Sequence, residues 1–137
     1  MYKRIVFTDL QGNCNIIAPS PNSPRTIEEE AIATVPAGLS YRIINTSELP
    51  TDRTYRNAWT DEYPTNTVDV NMVKARVLHM EKIRKARDAK LKVLDVETMK
   101  GINVQAAKQI LRDLPATVDL SVSTVEELKL LWPVELA

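Results

Sequence analysis

Cysteine, histidine and glycine are scarce in this chain: one, one and three among 137 residues. A lone Cys14 leaves no partner for an internal disulfide and too few thiolates for a zinc site. It lies beside a turn signal and is expected to be a small buried hydrophobe, in keeping with a reducing cytoplasm. Catalysis near neutral pH leans on titratable groups, and His79 falls mid-helix among basic residues with no nucleophile near it in sequence. It reads as a partly exposed structural residue. The three glycines form neither GxGxxG nor GxxxxGK[ST], so no phosphate-cradling loop is expected. No apolar run approaches the roughly 20 residues that cross a bilayer. The N-terminal Tyr2-Lys3-Arg4-Ile5-Val6-Phe7 lacks the apolar core of a signal peptide. The expectation is a soluble protein made in the cytoplasm, with no membrane partner and no catalytic, metal-binding or cofactor-binding residues. Lysine plus arginine balance aspartate plus glutamate at 18 each, so the whole molecule is not steered toward nucleic acid.

What is present is enough apolar content, 44%, for a packed core. The balanced charge hides an asymmetry. Residues 1–69 hold 6 basic and 9 acidic side chains, residues 70–137 hold 12 and 9, and eight of the cations fall within 74–92. The expected fold class is α+β: a small N-terminal hairpin, helix and strand lobe with an irregular connector over 1–68, then a helical arm over 69–137 built from one long and two short helices.

Local chemistry places the elements. Arg4–Thr8 and Cys14–Ala18 flank Gln11-Gly12-Asn13, a hairpin signal because Gly beside Asn permits the positive φ of a tight turn. Pro19, Pro21 and Pro24 forbid a central strand between them. Thr26 and Glu29 form a capping box ahead of Ile27, Ala31, Ile32 and Val35, in a helix expected to stop near Pro36-Ala37-Gly38. Leu39–Ile44 reads as a strand with Leu39, Tyr41 and Ile43 on one face. Tyr55–Tyr63 reads as another, and Pro64-Thr65-Asn66 as a break. Asp69 is the expected N-cap of a helix starting at Val70. Val73, Val77, Met80, Ile83, Leu91 and Leu94 make its apolar stripe, interrupted by Arg87. Gly101 is its expected C′ residue. Asn103 is expected to cap a helix carrying Ala107, Ile110, Leu111 and Leu114 and ending at Pro115. Ser123 and Glu126 form a box before Val125, Leu128, Leu131 and Trp132, with Pro133 closing that helix.

A helix of thirty residues is about 45 Å long, longer than a small core can cover. Part of its stripe is therefore expected to face another chain, through Val73, Val77, Met80, Ile83, Leu91 and Leu94. The string Tyr55-Arg56-Asn57-Ala58-Trp59 adds Arg53, Arg56 and Trp59 as candidate anchors, since Trp, Tyr and Arg are common interface hot spots. The competing reading puts Trp59 in the core and Asp52, Arg53 and Arg56 in an ion-pair cluster. A different class of function is nucleic-acid binding or regulation through Lys82, Arg84, Lys85, Arg87, Lys90 and Lys92. These cations are spread around the helix with no interleaved aromatic residue, so nucleic acid is the less favoured partner.

Several strings together resemble one known group. They are Leu49-Pro50-Thr51-Asp52-Arg53-Thr54-Tyr55-Arg56-Asn57-Ala58-Trp59, Val68-Asp69-Val70 with Lys74-Ala75-Arg76, and Ile83-Arg84-Lys85-Ala86-Arg87. Leu94-Asp95-Val96-Glu97 and Lys108-Gln109-Ile110-Leu111-Arg112-Asp113-Leu114-Pro115 follow. Over residues 49–115 the chain resembles small tailed-bacteriophage proteins encoded near tail-fibre genes, and its helical strings look like the phage tail assembly chaperone family. Val96 stands where that family commonly has Trp after the Asp. The resemblance implies a non-enzymatic protein of the virion tail, tail fibre or baseplate, or one acting in the host cytoplasm during assembly. Its partners would be phage tail, fibre or baseplate proteins, with self-association as a further possibility.

Overall fold

The structure is a computed structural model that describes residues 2–64 and 67–137; Met1, Thr65 and Asn66, and with them part of the expected Pro64-Thr65-Asn66 break, lie outside the described residues. The fold is α+β, and the chain divides into two compact units, Met1–Asn71 and Met72–Ala137.

The first unit is built on a three-stranded antiparallel sheet. Its strands are β1 (Lys3–Thr8), β2 (Cys14–Ile17) and β3 (Tyr41–Asn45), in the order β2-β1-β3. Ile5 pairs with Ile17 on one side and Ile43 on the other, which fixes the register of all three. The β1–β2 turn uses Gly12 at φ 81°, and Asp9 accepts from the Gln11 and Asn13 amides and the Asn15 side chain. Those hydrogen bonds, the one from Asn15 first, hold the Asp9 carboxyl below its usual range.

Both faces of this sheet are covered, as alternation along a strand permits. On one face Ile5 packs with Ala31 and Val35 of α1 (Ile27–Thr34), joined by Phe7, Ile17, Leu39 and Ile43. The Thr26–Glu29 capping box starts α1, and Glu28, Glu29 and Glu30 occupy its first turn, where the helix dipole favours negative charge. On the other face Val6, Cys14 and Ile44 meet Trp59 and Val68, which belong to the two-stranded ribbon of β4 (Trp59–Asp61) and β5 (Val68–Val70). Full burial of each such aliphatic chain is worth about 1.5–3 kcal/mol. Two expectations change here. Residues 56–58 form a 3-10 turn rather than a strand, because the Ala58 amide bonds back to the Tyr55 carbonyl. Tyr41 does not share the buried face of Leu39 and Ile43, being 39% exposed at the strand's start.

The second unit is three helices and a closing turn. The long helix α2 spans Met72–Met99, not Val70 onward, because Val68-Asp69-Val70 pairs with β4 and the Asn71 amide bonds the Ala58 carbonyl. Asp69 is thus a strand residue rather than a helix cap. Gly101 (φ 87°) ends α2 as expected. The Ile102 amide bonds the Glu97 carbonyl and the Gly101 amide the Thr98 carbonyl, the paired pattern of a Schellman stop. Next, α3 (Gln105–Thr117) runs through Pro115, which sits in its last turn and does not end it. α4 (Val125–Leu130) is capped by Thr124, whose hydroxyl accepts from the Glu127 amide, one residue beyond the expected Ser123. Leu131 and Trp132 therefore follow α4 instead of belonging to it, and Pro133 opens a 3-10 turn over Val134–Leu136.

The face that α2 turns inward matches the expected stripe at Ile83 and, half-buried, at Met80, Leu91 and Leu94, but not in its first turns. Ala75, His79 and Ile83 are its buried residues, while Val73 and Val77 are 67% and 55% exposed. Arg87, the apparent interruption, is half-buried on the inward side. That difference follows from what the C-terminal segment supplies. The Leu131 carbonyl meets His79 Nε2 at 2.6 Å, the Val122 carbonyl accepts from Arg76 at 2.8 Å, and the Ala137 carbonyl accepts from Lys90 at 3.2 Å. His79 also stands edge-on to Trp132, with ring centroids 6.2 Å apart. It is 4% exposed, so the expectation of a partly exposed histidine is corrected.

Candidate interaction surfaces

The expected anchors of the first unit are absorbed within it. Trp59 is 2% exposed, at the centre of the core layer under the ribbon. The guanidinium carbons of Arg56 and Arg53 lie 4.7 and 5.5 Å from the centre of its ring, close enough for cation–π attraction. Arg56 also donates both terminal nitrogens to the Cys14 carbonyl at 3.3 Å. Asp52 accepts from the Thr54 amide and hydroxyl. Around Tyr55, which is 1% exposed, burial and then the Asp52 charge push the phenol above its usual range. The Tyr55–Trp59 string is thus mainly a core-and-cap device.

A shallow polar cleft of about 360 Å³ lies on the same unit, lined by Thr8, Ser40, Tyr41, Arg42, Asp61 and Tyr63 among others. Its centre is a two-pronged ion pair: Arg42 Nε donates to Asp61 Oδ2 at 2.9 Å and Nη2 donates to Oδ1 at 2.5 Å. Tyr63 lays its ring against the guanidinium at 4.6 Å. The hydrogen bonds from Arg42 hold the Asp61 carboxyl below its usual range, against the opposing effect of burial, and the same pairing raises Arg42. Sequence reading missed this pair; its residues lie 19 positions apart, on strands of two different sheets, so no local pattern joins them.

On the second unit, α2 and α3 pack at the end near Gly101 and leave an open apolar groove of about 410 Å³. Val93, Leu94, Ala107, Ile110 and Leu111 line it, with Lys90 and Glu135 at its margins. Leu111 is 5% exposed and Leu94 half-buried, so they form the floor. Val93 and Ile110 are 62% and 53% exposed, and stand as walls. Ala107 and Ile110 were expected to face inward. Lys108 takes the inward place instead, 6% exposed, with its ammonium 2.8 Å from Asp95. A long aliphatic stem buried on the helix face with its charge led out to a solvated carboxylate explains the exchange.

Of the six expected stripe residues, the groove holds Leu94 alone. Ile83 is fully buried in its own unit and cannot touch a partner; Met80 and Leu91 are half-buried. Val73 and Val77 are free-standing surface side chains on the first turns of α2. The basic residues lie largely on the outer face, where Glu81, Arg84, Lys85, Asp88, Ala89 and Lys92 form one patch. Acids alternate there with cations at three- and four-residue spacing, and Asp88 is paired with Arg87 at 2.9 Å. Among the described residues no group of three or more His, Cys, Asp or Glu side chains is placed to hold a metal ion, and no helix is long and apolar enough to cross a membrane. No protein-family model, no curated protein and no solved structure matches this chain.

Proposed function

We propose that this chain is a non-enzymatic tailed-bacteriophage protein, associated with the tail fibre or baseplate, that works in tail structure or tail and fibre assembly by protein–protein contact. The observation that carries the reading is the open apolar groove between α2 and α3. Large apolar side chains standing out of a folded surface together mark a contact site rather than a reaction centre. Glu135 apart, the groove's lining falls within residues 83–115, where the sequence strings resemble the phage tail assembly chaperone family. A partner helix or loop seated there would cover Val93 and Ile110, which the chain itself leaves half in water. The partners are tail, fibre or baseplate subunits, met in the virion tail or in the host cytoplasm during assembly.

The test is to express the chain within its gene neighbourhood, purify particles and unassembled fibre subunits separately, and search each by mass spectrometry for the 15.5 kDa chain. Stoichiometric presence in particles makes it a structural component. Presence only with unassembled subunits makes it a chaperone. Absence from both overturns the tail assignment.

A further inference from the structure

We propose that the polar cleft of the first unit is a saccharide site, taking one neutral pyranose ring of a free sugar or of a glycan chain end. It lies wholly within that unit and stands whether or not the groove of the second unit meets a tail subunit. Strand geometry builds one wall. Val6 pairs with Arg42 across the sheet and packs against Trp59, so Arg42 and, two residues along β1, Thr8 share the ribbon-side face. Ser40, two residues before Arg42, lines the same cleft, and Asp61 of β4 and Tyr63 close it from the ribbon. Its volume of about 360 Å³ is at the small end of the roughly 300–1,000 Å³ typical of ligand pockets.

The lining selects the ligand. Its two charges satisfy each other, since Asp61 takes both Nε and Nη2 of Arg42, so an anion or a cation finds its countercharge already met. What remains is neutral hydrogen-bonding capacity in both senses. Among the described residues, the Arg42 Nη1 donors and the hydroxyls of Thr8, Ser40 and Tyr63 hold no hydrogen bond, and Asp61 Oδ2 accepts only from Arg42 Nε. A hydroxyl gives a proton to such an acceptor and takes one from such a donor, and a sugar ring carries several at its rim. Tyr63 adds a flat face. Its ring lies against the guanidinium at 4.6 Å, yet the residue is 65% exposed, so much of the ring is open to a ligand. The slightly positive C–H groups on a pyranose face suit the negative face of an aromatic ring. An extended peptide is the lesser fit: it needs a row of free backbone groups along β3, and the Asn45 amide is already capped by the Glu48 carboxylate.

The experiment titrates the 15N-labelled full chain with methyl glucoside, methyl mannoside, methyl galactoside and maltotriose, read by amide chemical shifts. At least one should give saturable shifts centred on Thr8, Ser40, Arg42, Asp61 and Tyr63, with half-saturation at about 1–10 mM, as suits a shallow, open site. Maltotriose binding no tighter than methyl glucoside points to a free sugar; tighter binding points to a chain end. Tyr63→Ala should weaken binding about tenfold while thermal unfolding stays in place, because the side chain is exposed. Tyr63→Phe keeps the ring and should stay within about threefold of the parent. Thr8→Val with Ser40→Ala removes two hydroxyls and should weaken binding about fivefold or more. Glucuronate, with one added negative charge, should bind no more tightly than methyl glucoside. No saturable shift with any of the four sugars up to about 50 mM overturns the proposal, as do shifts centred elsewhere or indifference to Tyr63→Ala. Salt-sensitive glucuronate binding about tenfold tighter than methyl glucoside overturns it in favour of an anion site. An uncharged threonine–valine peptide that shifts the Tyr41 and Ile43 amides where no sugar does overturns it in favour of strand addition.

Discussion

Asp61→Asn should destabilise the first unit by about 2 kcal/mol at pH 7. The side chains of Arg42 and Asp61 are 22% and 14% exposed, which sets the pair between two known limits. Exposed ion pairs are worth about 0–1 kcal/mol, whereas removing one partner of a buried pair costs about 3–5. The amide would leave the guanidinium with the face of Tyr63 and a long contact to the Thr67 hydroxyl, neither of which replaces a carboxylate. Arg42→Met strands the carboxylate in turn, so the double variant should fall short of the summed losses by about 1 kcal/mol or more. The pH dependence has a definite sign. Pairing holds the folded Asp61 carboxyl below its unfolded value of about 3.9, so the unfolded chain takes up its proton first. The stabilisation is full above that value and fades as pH falls through the lower folded one. The gap between parent and Asp61→Asn should therefore close in acid. Some acid sensitivity should persist in the variant, because Asp9 is also held low. Urea unfolding followed by tryptophan fluorescence in a Trp132→Phe background reads this unit alone, since Trp59 lies in its core. A variant within about 0.5 kcal/mol of the parent at pH 7, or a gap unchanged at pH 2, would refute the reasoning.

Three further outcomes follow from the second unit. Ile83→Ala, at a fully buried position, should cost about 3 kcal/mol in denaturant unfolding, while Val77→Ser, at an exposed one, should stay within about 0.5. Gly101→Ala should lower the thermal midpoint by an amount matching about 1 kcal/mol, because φ 87° suits glycine although no atom lies near enough to crowd a β-carbon. Lys108→Met should change stability by less than about 1 kcal/mol. Its partner Asp95 keeps 63% of its side chain in water, so the carboxylate is not stranded, and the methionine fills the same apolar slot.

What the sequence made legible was what local chemistry decides alone. The Gly12 hairpin, the Thr26–Glu29 box and the Gly101 stop each depend on a few neighbouring residues, and each stands in the structure. Errors came where distant chain overrides local preference. Asp69 has the chemistry of an N-cap, but β4 recruits it into a ribbon. Tyr55–Ala58 carries strand-forming residues, yet the turn is needed to bring Trp59 under the sheet. Counting apolar residues misjudged the first turns of α2, since its inward face there uses Ala75 and His79 ahead of Ile83, with Arg76 and His79 meeting carbonyls of the C-terminal segment. The same error hid the groove. Lys108 took the inward position that hydrophobicity assigned to Ala107 and Ile110, and those two became its wall.

The Arg56 contact with the Cys14 carbonyl has a consequence for crowding. β2 is an outer strand of its sheet, and outer strands present unpaired backbone groups on which other chains can polymerise as added strands. A forked cation bonded to one of those carbonyls, and pinned in place by the indole beneath it, leaves β2 a blocked template. At high concentration that matters: the β2 edge resists accepting a strand from a neighbouring chain, and contact through it is left to side chains, which can discriminate between partners.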